Sequence, residues 1–188
     1  QMAEAFQSAL AAFREVPELA HLDDLERLAG ISGGWVDLLG ALRELMPSLP
    51  AAAQPELWLR IARLYGEKLN HVDYALTSLA EAQKLDIRDA RLRRRLLDAR
   101  VELNRRAERW KDLAEALGLL AAELGGEGGE KDRQIDLYLE QGELYETRLS
   151  DGISAIAAFK KARAAAPESR DVLSARSEER RVGKECSE

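Results

Sequence analysis

The amino-acid sequence contains two copies of one pattern, and this repetition limits the folds that the chain can adopt. Sliding the chain by 80 residues aligns residues 57–65 with residues 137–145. A slide of 75 residues aligns the pattern Trp35-x-Asp37-Leu38-x-x-Ala41-Leu42 with Trp110-x-Asp112-Leu113-x-x-Ala116-Leu117. A unit of roughly 75 to 80 residues therefore occurs about twice, which is typical of a repeat protein.

Apolar residues recur at helical spacing within the repeated unit. Leu113, Leu117, Leu120 and Leu124 would form one stripe along a helix. The chain has 30 Ala and 31 Leu but only 14 Val, Ile and Thr residues together, which favours helices over strands. The pattern predicts helices at 2–14, 18–29, 35–46, 55–69, 72–85, 89–104, 107–124, 130–149, 152–165 and 169–176.

Two stretches resemble the tetratricopeptide repeat. The first reads Trp58-x-x-Ile61-Ala62-x-x-Tyr65, then Ala75-x-x-x-Leu79 and Ala82; the second reads Tyr138-x-x-Gln141-Gly142-x-x-Tyr145, then Ala155-x-x-x-Phe159, Ala162 and Pro167. Both copies have one residue more than usual between the tyrosine and the alanine. In addition, Gln141 replaces a leucine, and Ile87 stands where the family has proline. The match is similar to the divergent, long-loop repeats of large bacterial tetratricopeptide proteins.

The resemblance implies an all-α fold, a right-handed α-solenoid of antiparallel helix pairs that stack on their neighbours. We expect one repeat domain over residues 1–175, with an orphan helix at 2–14, a glycine-rich loop at 125–129 and a capping helix at 169–176. The expected pairs are 18–46, 55–85, 89–124 and 130–165. Small residues should lie where two helices approach closely, and the large rings should fill the space around them. The small residues are Ala62, Ala75, Ala82, Gly142, Ala155 and Ala162, and the rings are Trp58, Tyr65, Tyr138, Tyr145 and Phe159.

The family's usual role implies a protein–protein interaction scaffold that binds a partner segment on its concave face. In the family, the first helix of each pair lines that face. The candidate partner-binding residues are Leu59, Arg63, Glu67, Arg93, Arg94, Arg95, Leu97, Val101, Leu139, Glu143 and Thr147. Two alternatives stay open: a regulatory or recruiting repeat region of a larger enzyme, and a structural spacer or self-assembling array.

Residues 88–111 form a basic segment in an otherwise acidic chain. The segment has ten basic and four acidic side chains, a net charge of +6, whereas the whole chain has a net charge of −6. It could serve as a docking strip for an acidic peptide or a phosphate-bearing partner. The alternative is an arginine-rich helix that pairs with acidic residues of neighbouring repeats. Nucleic acid is disfavoured, because the chain is acidic and no aromatic residue interleaves before Trp110.

No motif in the sequence predicts catalysis, a cofactor or a metal site, so we expect a protein that is not an enzyme. Residues 30–34, Gly-Ile-Ser-Gly-Gly, match the G-x-S-x-G pattern of a nucleophile elbow, which needs a strand before the serine. A helix is expected there instead. His21 and His71 are the only histidines, and neither belongs to a cluster with metal-ligand spacing.

The ends of the chain indicate a piece of a longer protein. The sequence starts at Gln1, and residues 176–188 resemble a cloning vector sequence translated in frame, so we expect a non-native tail there. The single cysteine of the chain, Cys186, lies in that tail. Because a disulfide needs two cysteines, an internal disulfide framework is excluded. With no secretory signal and no stretch long enough to span a bilayer, the expected compartment is the cytoplasm. The sequence does not determine the oligomeric state.

Overall fold

The protein was analysed as a computed structural model that describes residues 2–17, 19–125 and 130–165. Every regular element in these residues is helical, which confirms the all-α prediction there. The helices are α1 (Met2–Glu15), α2 (Leu22–Ser32), α3 (Trp35–Leu45), α4 (Gln54–Arg63), α5 (Val72–Gln83), α6 (Ala90–Arg106), α7 (Trp110–Leu124), α8 (Lys131–Thr147) and α9 (Gly152–Ala165). The predicted capping helix 169–176, the tail 176–188, Pro167 and positions 126–129 of the glycine-rich loop lie outside the described residues.

Three short irregular helices complete the observed elements. A 3-10 turn at Leu19–His21 precedes α2, and a second one at Met46–Ser48 follows α3. The predicted helix at 55–69 is divided, since α4 ends at Arg63 and continues as a π-helical turn over Leu64–Lys68.

The chain divides into two compact units, Gln1–Ala99 and Arg100–Glu188. The boundary falls within α6, so each unit includes one half of that helix.

In the first unit, α1 packs against α2 and α3, and α4 packs against α5. Helix α1, the predicted orphan helix, contributes fully buried side chains to the same core as α3. The ring of Phe6 lies so close to Gly34 that a Cβ at that position would overlap it. The largest buried side chains of this core are Phe6, Leu10, Leu38, Leu39, Leu42, Leu57 and Ile61.

In the second unit, α8 packs between α7 and α9. The predicted stripe from Leu113 to Leu124 is buried, with each of its leucines 1% exposed or less. On the opposite side, Ala155, Ala158 and Ala162 of α9 are buried. Burial of a continuous apolar stripe is the main stabilising contribution to a helix of this length.

The predicted contact positions are mostly buried, as expected for closely approaching helices. Each alanine among them is 3% exposed or less, and Gly142 is also buried. Of the rings, Tyr138 is buried, whereas Trp58, Tyr65, Tyr145 and Phe159 are half-buried. The phenol ring of Tyr65 stacks on Tyr74 with 5.3 Å between the ring centres.

The two repeated stretches end their first helix in the same way. Asn70 and Ser150 occupy equivalent positions and both adopt left-handed backbone, with φ of 53° and 54°. In each copy, a backbone amide closes the helix end by donating to the carbonyl of the residue six positions earlier. The amide of His71 donates to the carbonyl of Tyr65, and the amide of Asp151 donates to the carbonyl of Tyr145, both at 2.8 Å.

Helix α6, which lies between these two copies in the chain, ends with a hydrogen bond that spans five positions and not six. Glu108 has the left-handed backbone there, with φ of 54°, and the amide of Arg109 donates to the carbonyl of Asn104, five residues back. This five-residue hydrogen bond is the usual helix stop of the Schellman type. The extra residue that the sequence shows between tyrosine and alanine in the two copies is therefore accommodated in a widened helix end.

Candidate partner-binding surface

Ion pairs join alternate helices of the first unit. Arg60 of α4 binds Asp23 and Glu26, which lie one turn apart on α2. Burial alone lowers the pKa of Arg60, but its hydrogen bonds to Glu26 and Asp23 outweigh that effect and raise the pKa. The guanidinium is therefore a permanent positive charge that holds α2 beside α4.

The next alternate helix is held in the same way. Arg95 of α6 donates two hydrogen bonds to the carboxylate of Glu56 on α4, at 2.7 and 2.8 Å. Bidentate pairs of this kind fix the relative orientation of the two groups. Helices α2 and α4 and the N-terminal half of α6 consequently lie side by side in this unit, and they are the first helices of the predicted pairs 18–46, 55–85 and 89–124.

The second unit repeats this arrangement with the charges placed differently. Arg105, in the C-terminal half of α6, donates to Glu140 of α8 at 2.7 Å and to Glu102 of its own helix at 3.2 Å. The bond to Glu140 is the main cause of the raised pKa of Arg105. First helices are thus adjacent in this unit as well.

Two of the three candidates on α4 and its π-turn are open to solvent. Arg63 and Glu67 are exposed, and they lie four residues apart on one face. Leu59, one turn before Arg63, is 1% exposed and belongs to the buried core. The partner-binding prediction for α4 therefore concerns Arg63 and Glu67 and leaves out Leu59.

The consecutive arginines of α6 have different surroundings. Arg93 donates to the carbonyls of Ile87 and Arg88, at 2.7 and 3.0 Å, and thereby closes the loop that precedes the helix. Arg95 is engaged with Glu56. Arg94 is half-buried, and its Nε atom is buried without a hydrogen-bond partner.

One of the two apolar candidates on α6 is partly exposed and the other is buried. Leu97 is half-buried, and Val101 is 5% exposed. Val101 therefore presents almost no surface to a partner in this conformation.

The candidates on α8 are more accessible toward the end of the helix. Leu139 and Glu143 are half-buried, and Thr147 is exposed. The hydroxyl of Thr147 donates to the carbonyl of Glu143 at 2.6 Å, as threonine commonly does inside helices.

Three arginines of the basic segment 88–111 are engaged with carboxylates on other helices of the unit in which each of them lies. Arg95 and Arg105 bind acidic residues of neighbouring first helices, and Arg100 lies 3.4 Å from Glu115 of α7. These contacts favour the interpretation of an arginine-rich helix that pairs with neighbouring repeats over that of a strip reserved for an acidic partner.

Pairing of the basic segment with acidic residues of neighbouring repeats was one of the two interpretations of the sequence, but the individual partners of these interhelical ion pairs were not predicted. The partners are 34 to 39 residues apart in the chain, so no local pattern connects them. The available signal was the placement of opposite charges on consecutive first helices, as in Asp23 and Glu26 against Arg60.

The G-x-S-x-G match has the helical context that was expected. Ser32 is the last residue of α2, and its hydroxyl donates to the carbonyl of Leu28 at 2.8 Å. Gly33 then ends the helix with left-handed backbone, φ 74°. The strand that a nucleophile elbow requires is not present at these residues.

In residues 2–17, 19–125 and 130–165, no group of three or more His, Cys, Asp or Glu side chains could hold a metal ion. None of the helices in that part of the chain combines the length and the apolar character of a membrane-spanning helix.

Comparison with family models, with curated proteins and with solved structures gave no match to this chain.

Proposed function

We propose that the chain is a protein–protein interaction scaffold built from tetratricopeptide-like helix pairs, which bind a partner segment on the face lined by their first helices. The observation that carries this proposal is the row of ion pairs that places α2, α4 and α6 side by side in the first unit. Adjacent first helices are what a right-handed α-solenoid requires and what a partner groove would be built from.

The repeated helix ends support the same proposal. Equivalent left-handed residues, Asn70 and Ser150, and equivalent closing hydrogen bonds occur in both copies of the motif. Such conserved geometry within one chain is expected when a supersecondary unit has been duplicated and stacked.

The exposed pair Arg63 and Glu67 is the centre of the proposed surface in the first unit. Both side chains stand on helical backbone that is packed on α5, so the surface exists before a partner arrives. A preformed surface binds a peptide without an ordering cost on the receptor side.

A selection experiment tests the proposal directly. Peptides would be selected from a random display library on the immobilised chain, and their affinity would be measured by fluorescence anisotropy. For a double variant, Arg63→Glu with Glu67→Lys, we expect affinity to fall by about tenfold or more, since both rim charges are reversed.

Arg43→Glu is the matched control, because Arg43 is exposed on α3, a second helix, where the proposed surface does not extend. Equal binding by all three proteins would exclude the first-helix face. Failure to select any peptide that binds saturably would contradict the scaffold function itself.

A further inference from the structure

Three aromatic side chains contact one another where the π-helical turn after α4 leads into α5. The ring of Tyr74 stacks on Tyr65, with 5.3 Å between the ring centres and an interplanar angle of 26°. The imidazole of His71 meets the Tyr74 ring at 84°, with 5.8 Å between the centres. His71 is exposed, and Tyr74 is 56% exposed. Because Tyr65 covers one face of the Tyr74 ring, the exposed area of that ring is concentrated on its other face and its edge.

The second copy of the repeat shows that the fold does not require the two exposed rings. Asp151 and Ser154 stand there at the positions of His71 and Tyr74, yet the backbone of the helix end is the same in both copies. The carboxylate of Asp151 caps α9 by accepting a hydrogen bond from the amide of Ser154 at 3.0 Å. The side chain of His71 makes no capping hydrogen bond at the start of α5. The first copy therefore has exposed rings where the second copy has a helix cap.

We infer that this aromatic cluster of Tyr65, His71 and Tyr74 is a docking site for a planar aromatic side chain of a partner protein, which continues the stack on the open face of Tyr74. The inference goes beyond the proposed function and does not depend on it. Arg63 and Glu67, the centre of the proposed surface, each lie two positions from Tyr65, and side chains two positions apart do not share a helix face.

The geometry and the charges of the aromatic cluster favour a ring over other occupants. Aromatic rings attract one another in stacked or edge-on arrangements with about 4.5 to 7 Å between their centres, and both contacts in the cluster lie in that range. A cation is disfavoured, because α5 begins at Val72 and the N-terminal end of a helix carries partial positive charge. A nucleotide is disfavoured by the net charge of −6 on the chain. Aromatic side chains are also frequent anchors of protein interfaces.

The test uses the full chain labelled with nitrogen-15 and N-acetyl-tryptophanamide as the probe. Titration followed by NMR should give saturable shifts of the amides of residues 65–74. Intermolecular nuclear Overhauser effects should connect the indole protons of the probe to the Tyr74 ring. The variant Tyr74→Ser, which introduces the residue of the second copy, should bind the probe about fivefold more weakly or worse, because it removes the stacking face.

Leu119→Ser is the matched control, because it removes another large apolar side chain, 45% exposed on α7, and should leave the affinity unchanged. Thermal melts establish that each variant is folded, and the Overhauser effects locate the probe in the wild-type chain without any substitution. Two comparison probes, N-acetyl-leucinamide and tetramethylammonium, should bind more weakly than the indole.

Equal binding of the leucine amide would reduce the aromatic cluster to a non-specific apolar patch, and tighter binding of tetramethylammonium would assign it to a cation. Either result would overturn the inference. The same holds for Overhauser effects to other side chains only, for an affinity unchanged by Tyr74→Ser, and for the absence of saturable binding.

Discussion

The guanidinium of Arg148 lies 4.8 Å from the centre of the Trp110 ring. The equivalent residues of the first copy make the same contact, since the ammonium of Lys68 lies 5.7 Å from the Trp35 ring. In each contact the cation lies at the end of a first helix. The tryptophan lies at the start of the second helix of the preceding helix pair. The duplicated sequence has therefore kept a tertiary contact between positions 33 and 38 residues apart, although the cation itself changed from lysine to arginine.

The Arg148–Trp110 contact should be measurable as a coupling energy. In a double-mutant cycle with Arg148→Ala and Trp110→Ala, we expect a coupling of about 0.5 to 1 kcal/mol, because the site is partly solvated. Urea unfolding of the four proteins provides the free energies. The cycle for Lys68 and Trp35 is the internal comparison and should give a smaller value, since that cation is farther from its ring. Zero coupling in both cycles would mean that the contacts contribute nothing.

Gly142 should be intolerant of any side chain. A Cβ at this position would overlap the ring of Phe159, which packs directly on the backbone of α8. We expect Gly142→Ala to lower the free energy of unfolding by about 1 to 3 kcal/mol, despite the higher helix propensity of alanine.

Gly40 provides the matched control for this substitution. It lies within α3, is exposed, and an added Cβ would meet no atom within 4 Å. Gly40→Ala should therefore raise the free energy of unfolding by up to about 1 kcal/mol. Equal effects of the two substitutions in chemical denaturation would show that helix propensity dominates at both sites and that the Phe159 contact is not tight.

Local sequence patterns predicted the helices well, and they failed where the decisive interaction is distant in the chain. The predicted helix 152–165 coincides with α9, because helical periodicity and a capping aspartate are local properties. The π-turn after α4 was not foreseen, although the extra residue before Ala75 was visible in the sequence. That residue was compatible with a longer loop as well as with a widened helix end.

The candidate surface was predicted less completely than the helices. The helical face that contains Leu59, Arg63 and Glu67 follows from spacing, but the burial of Leu59 depends on packing between helices that no local pattern specifies. Likewise, Arg95 reads as a free basic residue until Glu56, 39 residues earlier, is placed beside it.

Gln141 is expected to cost stability relative to an apolar residue. It is 7% exposed, and its Nε2 donates to the carbonyl of Ala114 at 2.8 Å, but its Oε1 is buried without a hydrogen-bond partner. The first copy has Ile61 at this position. We expect Gln141→Leu to raise the free energy of unfolding by about 1 kcal/mol, because it removes the unsatisfied acceptor at nearly constant volume. Thermal and urea unfolding measure the change, and a loss of stability would show that the single hydrogen bond outweighs the orphaned oxygen.

Asp151 should make the stability of α9 dependent on pH. Its Oδ1 accepts a hydrogen bond from the backbone amide of Ser154 at 3.0 Å, as a residue that caps the start of a helix does. Hydrogen bonds from the Ser154 side chain and backbone lower the pKa of Asp151 in the folded protein. A carboxyl group whose pKa is lowered by folding stabilises the folded state above its unfolded pKa of about 3.9, and that contribution is lost as the pH falls through the folded value.

The variant Asp151→Ala should therefore be less stable than wild type at about pH 7, and the difference should shrink as the pH is lowered below about 4. Urea unfolding of both proteins over this range measures it, with Asp136→Ala as a control that removes an exposed carboxylate with no described partner. A difference between Asp151→Ala and wild type that stays constant with pH would mean that the neutral side chain caps α9 as well as the carboxylate does.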